Sequence, residues 1–196
     1  LHLSLRRQRQ MCIRDSVSSE IVVASTSIAT LLGGELISGS DRSSISGRLS
    51  IPEYQRPYRW QVKHLQRLLL DLTEYFPRSN DATPPKHDFY LGSIILHQSR
   101  PARKHTDVLS IIDGQQRLIT LALLAHVLKQ RDLAKGIELT SPESQSRALY
   151  NLRWLEQQQL PAVDFTRVNI TLVVTRSEDD AYRFFETQNT GCLLYT

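Results

Sequence analysis

Residues 108–118 read Val-Leu-Ser-Ile-Ile-Asp-Gly-Gln-Gln-Arg-Leu, and this stretch decides the fold. The mostly apolar run from Val108 to Ile112 predicts a buried strand. Asp113-Gly114 predicts a tight turn. Gln115 to Arg131 then predicts a helix that is apolar on nearly every side and therefore central. A buried strand that turns directly into a buried helix indicates a domain with both α and β structure.

The flanking sequence supplies further helices and strands. Helices are indicated by apolar residues three and four positions apart, and strands by short apolar or alternating runs. The expected elements are a helix over 21–32, a loop over 33–48, an edge strand over 49–54, a helix over 61–76, a strand buried on both faces over 89–97, a helix over 142–159 capped by Ser141, a strand over 168–175 and a helix over 178–187 capped by Ser177. This pattern predicts a mixed α+β domain.

The Asp113-Gly114 turn has the chemistry of a phosphate site. A helix that begins there presents unpaired N–H groups and the positive end of its dipole. Arg117 can make forked hydrogen bonds to phosphate, and Asp113 can hold a magnesium ion or the attacking water. Gln115 or Gln116 can orient that water. The structural alternative makes Asp113 an N-cap and leaves the other side chains solvated.

A second dense segment is Tyr54-Gln55-Arg56-Pro57-Tyr58-Arg59-Trp60, which places aromatic and arginine side chains around a proline. Aromatic faces can sandwich a base, and guanidinium groups can bind phosphate or stack. The alternative is an aromatic cluster that packs the start of the next helix, with Trp60 as its anchor. The residues alone leave both interpretations open.

The two ends of the chain differ in character from the rest. Residues 6–15 resemble the translation of a transposase-type sequencing adapter, and residues 192–196 resemble the same adapter read outward. We therefore expect 1–16 and 192–196 to be adapter-derived and 17–191 to form the domain. Residues 6–15 hold four arginines and one aspartate, so most of the formal net charge of +4 comes from them. The alternative is a genuine basic arm and a short tail.

Several function classes are excluded by missing motifs. Both cysteines, Cys12 and Cys192, fall in the adapter-like ends, so we expect neither disulfides nor a zinc–thiolate site. The sequence has no phosphate-binding G-x-x-x-x-G-K-[ST] motif, no G-x-S-x-G elbow and no H-E-x-x-H pair. It also lacks the roughly 18 apolar residues of a membrane span, so we expect a cytoplasmic protein with no membrane partner.

Together the motifs resemble a known family. Residues 51–60, 90–96 and 112–118 occur in the order and spacing of the N-terminal domains of GmrSD-type restriction systems, which carry a DGQQR motif. Phe185-Glu186-Thr187-Gln188-Asn189 is similar to a later F-E-x-x-N element of that family. The resemblance implies a ParB/sulfiredoxin-like nucleotide-binding core with added helices, incomplete at its C-terminus here.

The resemblance also implies a function. It indicates a domain that binds and hydrolyses a nucleoside triphosphate with Mg²⁺ or Mn²⁺ and regulates a modification-dependent, type IV-like restriction endonuclease in phage defence. The implied partners are modified DNA, through the full-length protein, and an HNH-type nuclease domain or subunit that lies outside this sequence. We therefore expect no DNA cleavage by this chain.

The family motifs assign roles to particular residues. The implied catalytic residues are Asp113, Gln115, Gln116 and Arg117. The implied nucleotide-binding residues are Gln55, Arg56, Tyr58, Trp60, Gly92 and Gly114. The implied metal ligands are Asp113, Glu186 and Asn189. Two alternative functions remain: a ParB-like switch that binds nucleotide without significant hydrolysis, and a DNA-binding module that uses the basic residues Arg100, Arg103, Lys104 and His105.

Overall fold

The computed structural model describes residues 21–76, 87–98, 107–177, 179–181 and 183. Its strands are β1 (Ile21–Ser27), β2 (Ile37–Ser38), β3 (Ser44–Ile45), β4 (Arg48–Ser50), β5 (Phe89–His97), β6 (Val108–Asp113) and β7 (Val168–Thr175). Its helices are α1 (Ile28–Leu32), α2 (Val62–Tyr75), α3 (Gln115–Val127), α4 (Arg131–Ala134) and α5 (Pro142–Glu156), with a 3₁₀ turn over Phe165–Arg167. The predicted α+β class is confirmed.

A five-stranded mixed sheet lies at the centre, in the order β1-β7-β5-β6-β4. The pairs β1–β7 and β5–β6 are antiparallel, whereas β5–β7 and β4–β6 are parallel. A separate small hairpin pairs β2 with β3. The short β4 lies at the sheet edge, where the proline that follows it removes no ladder hydrogen bond. The edge position predicted for the strand over 49–54 is therefore confirmed, but the strand covers only Arg48–Ser50, and residues 51–54 are not part of it.

The prediction of a single helix over 21–32 is wrong for its first half. Residues 21–27 form β1, which pairs with β7 along its whole length, from Ile21 opposite Thr175 to Ser27 opposite Asn169. Val22 and Ala24 are buried while their neighbours are exposed, which is the alternation of a strand. Only the short α1 follows, capped by the Ser27 hydroxyl, which accepts from Thr30 N.

Two other predictions need correction. The segment over 33–48 is not a loop throughout, because it contains the β2–β3 hairpin. β5 has the predicted bounds, but only Ile94, Ile95 and Leu96 are buried, while Tyr90 is 59% exposed. The first half of β5 therefore has one face in solvent, and it carries a register shift between Tyr90 and Gly92.

Side chains of α2, α3 and α5 share the main core with one set of strand side chains, whereas Ala181 packs with Ile95 and Ile112 in a separate cluster. α2 matches its predicted range and buries Leu65, Leu68 and Leu72. α3 begins at Gln115 as predicted and ends at Val127 rather than Arg131. Lys129 adopts a left-handed backbone with φ 62°, which stops the helix.

α5 and β7 have the bounds that the sequence predicts at their starts. Ser141 caps α5 by accepting from Ser144 N. Residues 179–181 and 183 are helical, and the amide of Asp180 donates to the Ser177 hydroxyl, as a cap requires. The remainder of the helix predicted to reach residue 187 lies outside the described residues. Among the described helices, none has the length and apolar character to cross a membrane.

Candidate functional site

Gly114 is the N-cap of α3 and adopts a left-handed backbone, with φ 91° and ψ 2°. A Cβ at this position would also collide with the side chain of Ile94 on β5. Glycine is therefore required both for the turn and for the close approach of β5. Asp113 is the last residue of β6, so the alternative that made it the helix cap is wrong.

Side-chain amides tie the two sequence motifs into one unit. Gln55 donates from Nε2 to the carbonyl of Ile112 over 2.7 Å. Gln115 returns the contact by donating from Nε2 to the carbonyl of Arg56. Each bond joins residues more than 50 positions apart in sequence, so the loop over 51–60 is fixed on the start of α3 by its own motif residues.

Gln116 completes this arrangement. Its Nε2 donates to the carbonyl of Pro57 over 3.1 Å, and its Oε1 accepts from the amides of Arg59 and Trp60 over 2.8 and 3.1 Å. Both polar ends of the amide are thus engaged by the backbone of the loop. We call Gln55, Gln115 and Gln116 the glutamine clasp. Gln116 acts within it as a positioning residue, and its expected part in orienting a water stays a prediction.

The ring of Tyr58 lies in the core rather than in the site. The residue is 1% exposed, and its hydroxyl lies 2.8 Å from Thr120 Oγ1 and accepts from Asn151 Nδ2 over 3.0 Å. Burial raises the pKa of this hydroxyl, and the two hydrogen bonds oppose that rise. A ring so enclosed leaves no face on which a base could stack, and the expected nucleotide-binding role of Tyr58 stays a prediction.

Trp60 also follows the packing alternative. It is half-buried and stacks on His64, with ring centroids 5.6 Å apart and an angle of 17° between the planes. Its carbonyl accepts from Asn151 Nδ2 over 2.8 Å, and Ser144 Oγ accepts from the amide of Tyr58 over 2.9 Å. Sequence reasoning missed Ser144 and Asn151. Their signal was the presence of small polar residues on the inner face of an amphipathic helix.

Asp113 and Arg117 form an ion pair at 3.4 Å, one helical turn apart. The Arg117 guanidinium also donates to the carbonyls of Ser93, over 2.7 Å, and Leu91, over 3.4 Å. Gly92, with φ 114°, makes room for it, since a Cβ there would lie 2.8 Å from Arg117 Nη1. Gly92 therefore makes room for the Arg117 side chain against β5. Arg117 in turn stabilises the part of that strand where the register shifts.

The acidic side chains available for a metal are few in the described part of the chain. No group of three or more His, Cys, Asp or Glu residues is close enough there to hold an ion. Asp113 is one-third exposed and offers a single carboxylate. Glu186 and Asn189, the other expected ligands, lie outside the described residues, as does the basic loop over 99–106.

A cleft with a cavity volume of about 60 Å³ opens between the loop over 51–58 and the start of α5. We call it the loop–helix cleft; it is lined by Ile51, Pro52, Glu53, Gln55, Arg56, Pro57, Tyr58, Gln115, Leu139, Thr140, Ser141 and Ser144. Arg56 is exposed at this cleft, and its guanidinium makes no ion pair or hydrogen bond with any described residue.

The predicted site residues thus separate into two groups. Four of them line the loop–helix cleft: Gln55, Arg56, Tyr58 and Gln115. Asp113, Gly92 and Arg117 form the second group, on the β5 side of the α3 start. Gln55 links the groups, because its amide reaches the carbonyl of Ile112 beside Asp113.

The fold and the site define an α+β domain in which a glutamine-rich strand–turn–helix holds an aromatic, arginine-containing loop. The chain belongs to the family described as GmrSD restriction endonuclease, N-terminal domain, whose sequence model matches residues 34–193. This membership implies a role in a GmrSD-type restriction system. A comparison with curated proteins finds no match to the chain.

Proposed function

We propose that this domain binds a nucleoside triphosphate at the unit formed by the glutamine clasp and hydrolyses it in a divalent-metal-dependent reaction. The observation that carries the proposal is the clasp itself. It joins the two motifs, and the Arg56 guanidinium beside the cleft has no partner among the described residues. It also ties the loop to the strand that ends at the carboxylate of Asp113. A free cation, a carboxylate and a cleft are the groups that binding of a metal–triphosphate complex needs.

The described residues fit a magnesium ion of the kind that accompanies a nucleotide. Such an ion is usually held by one or two carboxylates and by the phosphates themselves, with waters completing its shell. Asp113 would supply the carboxylate, and Glu186 or Asn189 is the expected further ligand. When bound, the ion neutralises charge on the phosphate oxygens. Arg56 would then supply a positive charge to the phosphates, and Gln116 keeps the loop that carries it in place.

In the intact system, nucleotide turnover would regulate a restriction nuclease. The family membership supports this role, since the matched domain is the N-terminal domain of a restriction endonuclease. We propose modified DNA and an HNH-type nuclease domain as the partners of the full-length protein, and a part in phage defence as its purpose. A cytoplasmic location is the corresponding expectation.

The test compares Asp113→Asn with a matched control. Asp71 also forms an i,i+4 ion pair with an arginine, Arg67, at 3.3 Å, and its exposure is similar to that of Asp113. We expect Asp113→Asn to lower Mg²⁺-dependent phosphate release from a nucleoside triphosphate by about 100-fold. Asp71→Asn should stay near the wild-type rate. Full activity in Asp113→Asn would remove this residue from the site, and absence of nucleotide binding by the wild-type chain would refute the function.

A second candidate function is a nucleotide switch without significant turnover. The contacts of Arg117 favour this function, because its guanidinium bonds the Asp113 carboxylate and two carbonyls of β5 at once. A nucleotide that displaces this guanidinium would release the irregular part of β5 without any chemistry. Tight nucleotide binding, together with phosphate release no faster than in buffer, would favour the switch over the hydrolase.

A further inference from the structure

The loop–helix cleft contains a buried acceptor that has no donor. Gln115 is 5% exposed, and its Nε2 is committed to the carbonyl of Arg56. Its Oε1 has no hydrogen-bond partner among the described residues. A buried amide oxygen is unfavourable until a donor reaches it. Because Gln115 lines the cleft, that donor can come from a molecule bound there.

This feature is specific to the cleft. The other buried side-chain atoms without partners in the described part of the chain are Tyr75 OH, His97 Nε2 and Asn151 Oδ1. None of these three residues lines the cleft. Gln115 is therefore the one residue among these four that lines the cleft.

The surroundings of Gln115 suit an uncharged ring better than a phosphate. Pro142 at the start of α5 has no N–H, and the amides of Ser144 and Gln145 are already bonded to Ser141. Few helix N-terminal donors are therefore left for an anion. The cleft walls include the apolar side chains of the residues Ile51, Pro52, Pro57 and Leu139.

We propose that the loop–helix cleft is the base subsite of the nucleotide, in which Gln115 Oε1 accepts a hydrogen bond from a base N–H group. The flat faces of the base pack between the proline and leucine walls. Arg56, free at the same cleft, receives the phosphates, and the Glu53 carboxylate is available to the ribose hydroxyls. This inference rests on the proposed nucleotide function. It adds that Gln115 recognises the base of the nucleotide.

The experiment measures equilibrium binding to the full chain in the presence of Mg²⁺. The ligands are ATP, GTP, CTP and UTP, their counterparts methylated at the N–H positions of the base edge, and inorganic tripolyphosphate. We expect the preferred natural nucleotide to bind about ten-fold or more tightly than its methylated counterpart, because a site built around a hydrogen bond rejects a ligand that cannot make it. This arm uses only the wild-type chain, so it does not depend on how a variant folds.

A variant arm assigns the effect to Gln115. Gln115→Met keeps the length of the side chain and removes both its acceptor and its hydrogen bond to the Arg56 carbonyl. Overall affinity should fall, and natural and methylated nucleotides should then bind equally. Arg56→Met should instead weaken nucleotides and tripolyphosphate by a similar factor and leave the discrimination between bases intact. Circular dichroism melts of both variants establish that they are folded before their binding is compared.

The outcomes separate the two proposals. Equal binding of natural and methylated nucleotides by the wild-type chain overturns the base subsite while the nucleotide function stands. Absence of binding by every nucleotide and by tripolyphosphate overturns both. If a short single-stranded oligonucleotide displaces the nucleotide more effectively than the free nucleotide itself does, the cleft reads a nucleic-acid base, and the assignment to a nucleotide is wrong.

Discussion

Gly92 shows how one residue supports the site from a distance. Its backbone has φ 114°, which side-chain-bearing residues rarely adopt, and the space of its missing Cβ is taken by Arg117 Nη1. The Arg117 guanidinium donates hydrogen bonds to the carbonyls of Leu91 and Ser93, the residues on either side of Gly92. The family resemblance had implied that Gly92 binds nucleotide. The structure gives the space to a side chain of the chain itself.

We therefore predict that Gly92→Ala is more destabilising than an ordinary glycine substitution. The control is Gly34→Ala, because Gly34 also has a positive φ, of 70°, but nothing lies within 4 Å of its Cβ position. Backbone strain acts in both variants, and the displacement of Arg117 acts only at Gly92. Urea denaturation should show a loss of about 2–3 kcal/mol for Gly92→Ala and about 1 kcal/mol for Gly34→Ala. Equal losses would show that Arg117 moves aside freely.

Tyr58 gives a prediction about alkaline pH. Burial raises the pKa of its hydroxyl in the folded chain above the ordinary value of 10.0. The folded state then keeps the proton at pH values where the unfolded state releases it, so stability falls as the pH rises above 10. At pH 8, Tyr58→Phe should be less stable by roughly 1–2 kcal/mol, because Thr120 and Asn151 lose a partner. Above pH 10 that difference should shrink.

Tyr90→Phe is the control for this pH effect. Tyr90 is exposed, and hydrogen bonds with Thr171 and Ser93 lower the pKa of its hydroxyl. A pKa that is lowered in the folded state adds stability as the pH rises. The stability difference between Tyr90→Phe and wild type should therefore not shrink above pH 10. Thermal melts of the wild-type chain and both variants between pH 8 and 11 make the comparison. A parallel fall in all three would mean that Tyr58 does not titrate as a buried group.

At the scale of elements, α5 supports the motif loop together with α3. Ser144, near its start, accepts from the amide of Tyr58, and Asn151, two turns later, donates to the Tyr58 hydroxyl and to the Trp60 carbonyl. Asn151 is fully buried. The loop is thus held between two helices, by the glutamine clasp from one and by Ser144 and Asn151 from the other.

This arrangement predicts that Asn151→Ala loosens the loop as well as the core. Two acceptors, on Tyr58 and Trp60, lose their donor, so we expect a loss of about 2 kcal/mol in urea denaturation. Amide hydrogen exchange in residues 54–60 should accelerate more than exchange in α2. Arg153→Ala, an exposed change on the same helix, should stay within about 0.5 kcal/mol of wild type. Unchanged exchange in the loop would contradict the positioning role of α5.

The sequence predicted elements well where local pattern determines them. β5, β6, β7 and α2 lie within a residue or so of their predicted bounds, because apolar runs and helical spacing are local signals. Residues 21–27 were predicted to be helical. They form a strand because they pair with β7, which lies about 145 positions later in the chain. The glutamine clasp was equally out of reach, because an amide side chain gives no sign of which distant carbonyl it will meet.

At the scale of the whole molecule, a buried polar cluster closes one end of the sheet. Arg176, just after β7, donates from Nη1 to Gln98 Oε1 over 2.7 Å and from Nη2 to Ser43 Oγ over 2.8 Å. Gln98 follows β5 and donates to the carbonyl of Ser46 over 3.1 Å. Desolvation lowers the pKa of Arg176, and Asp41 opposes that change. The cluster therefore joins the β2–β3 hairpin to the ends of two central strands.

We predict that Arg176→Lys weakens this junction although it keeps the charge. A lysine ammonium cannot reproduce the fork by which a guanidinium reaches Gln98 and Ser43 together. The expected loss is about 1–2 kcal/mol in urea denaturation, with faster amide exchange over residues 37–45. Arg48→Lys is the matched control, since Arg48 makes one exposed ion pair, with Glu138. If Arg176→Lys leaves hairpin exchange unchanged, the hairpin is held by its apolar contacts and the arginine only caps the strands.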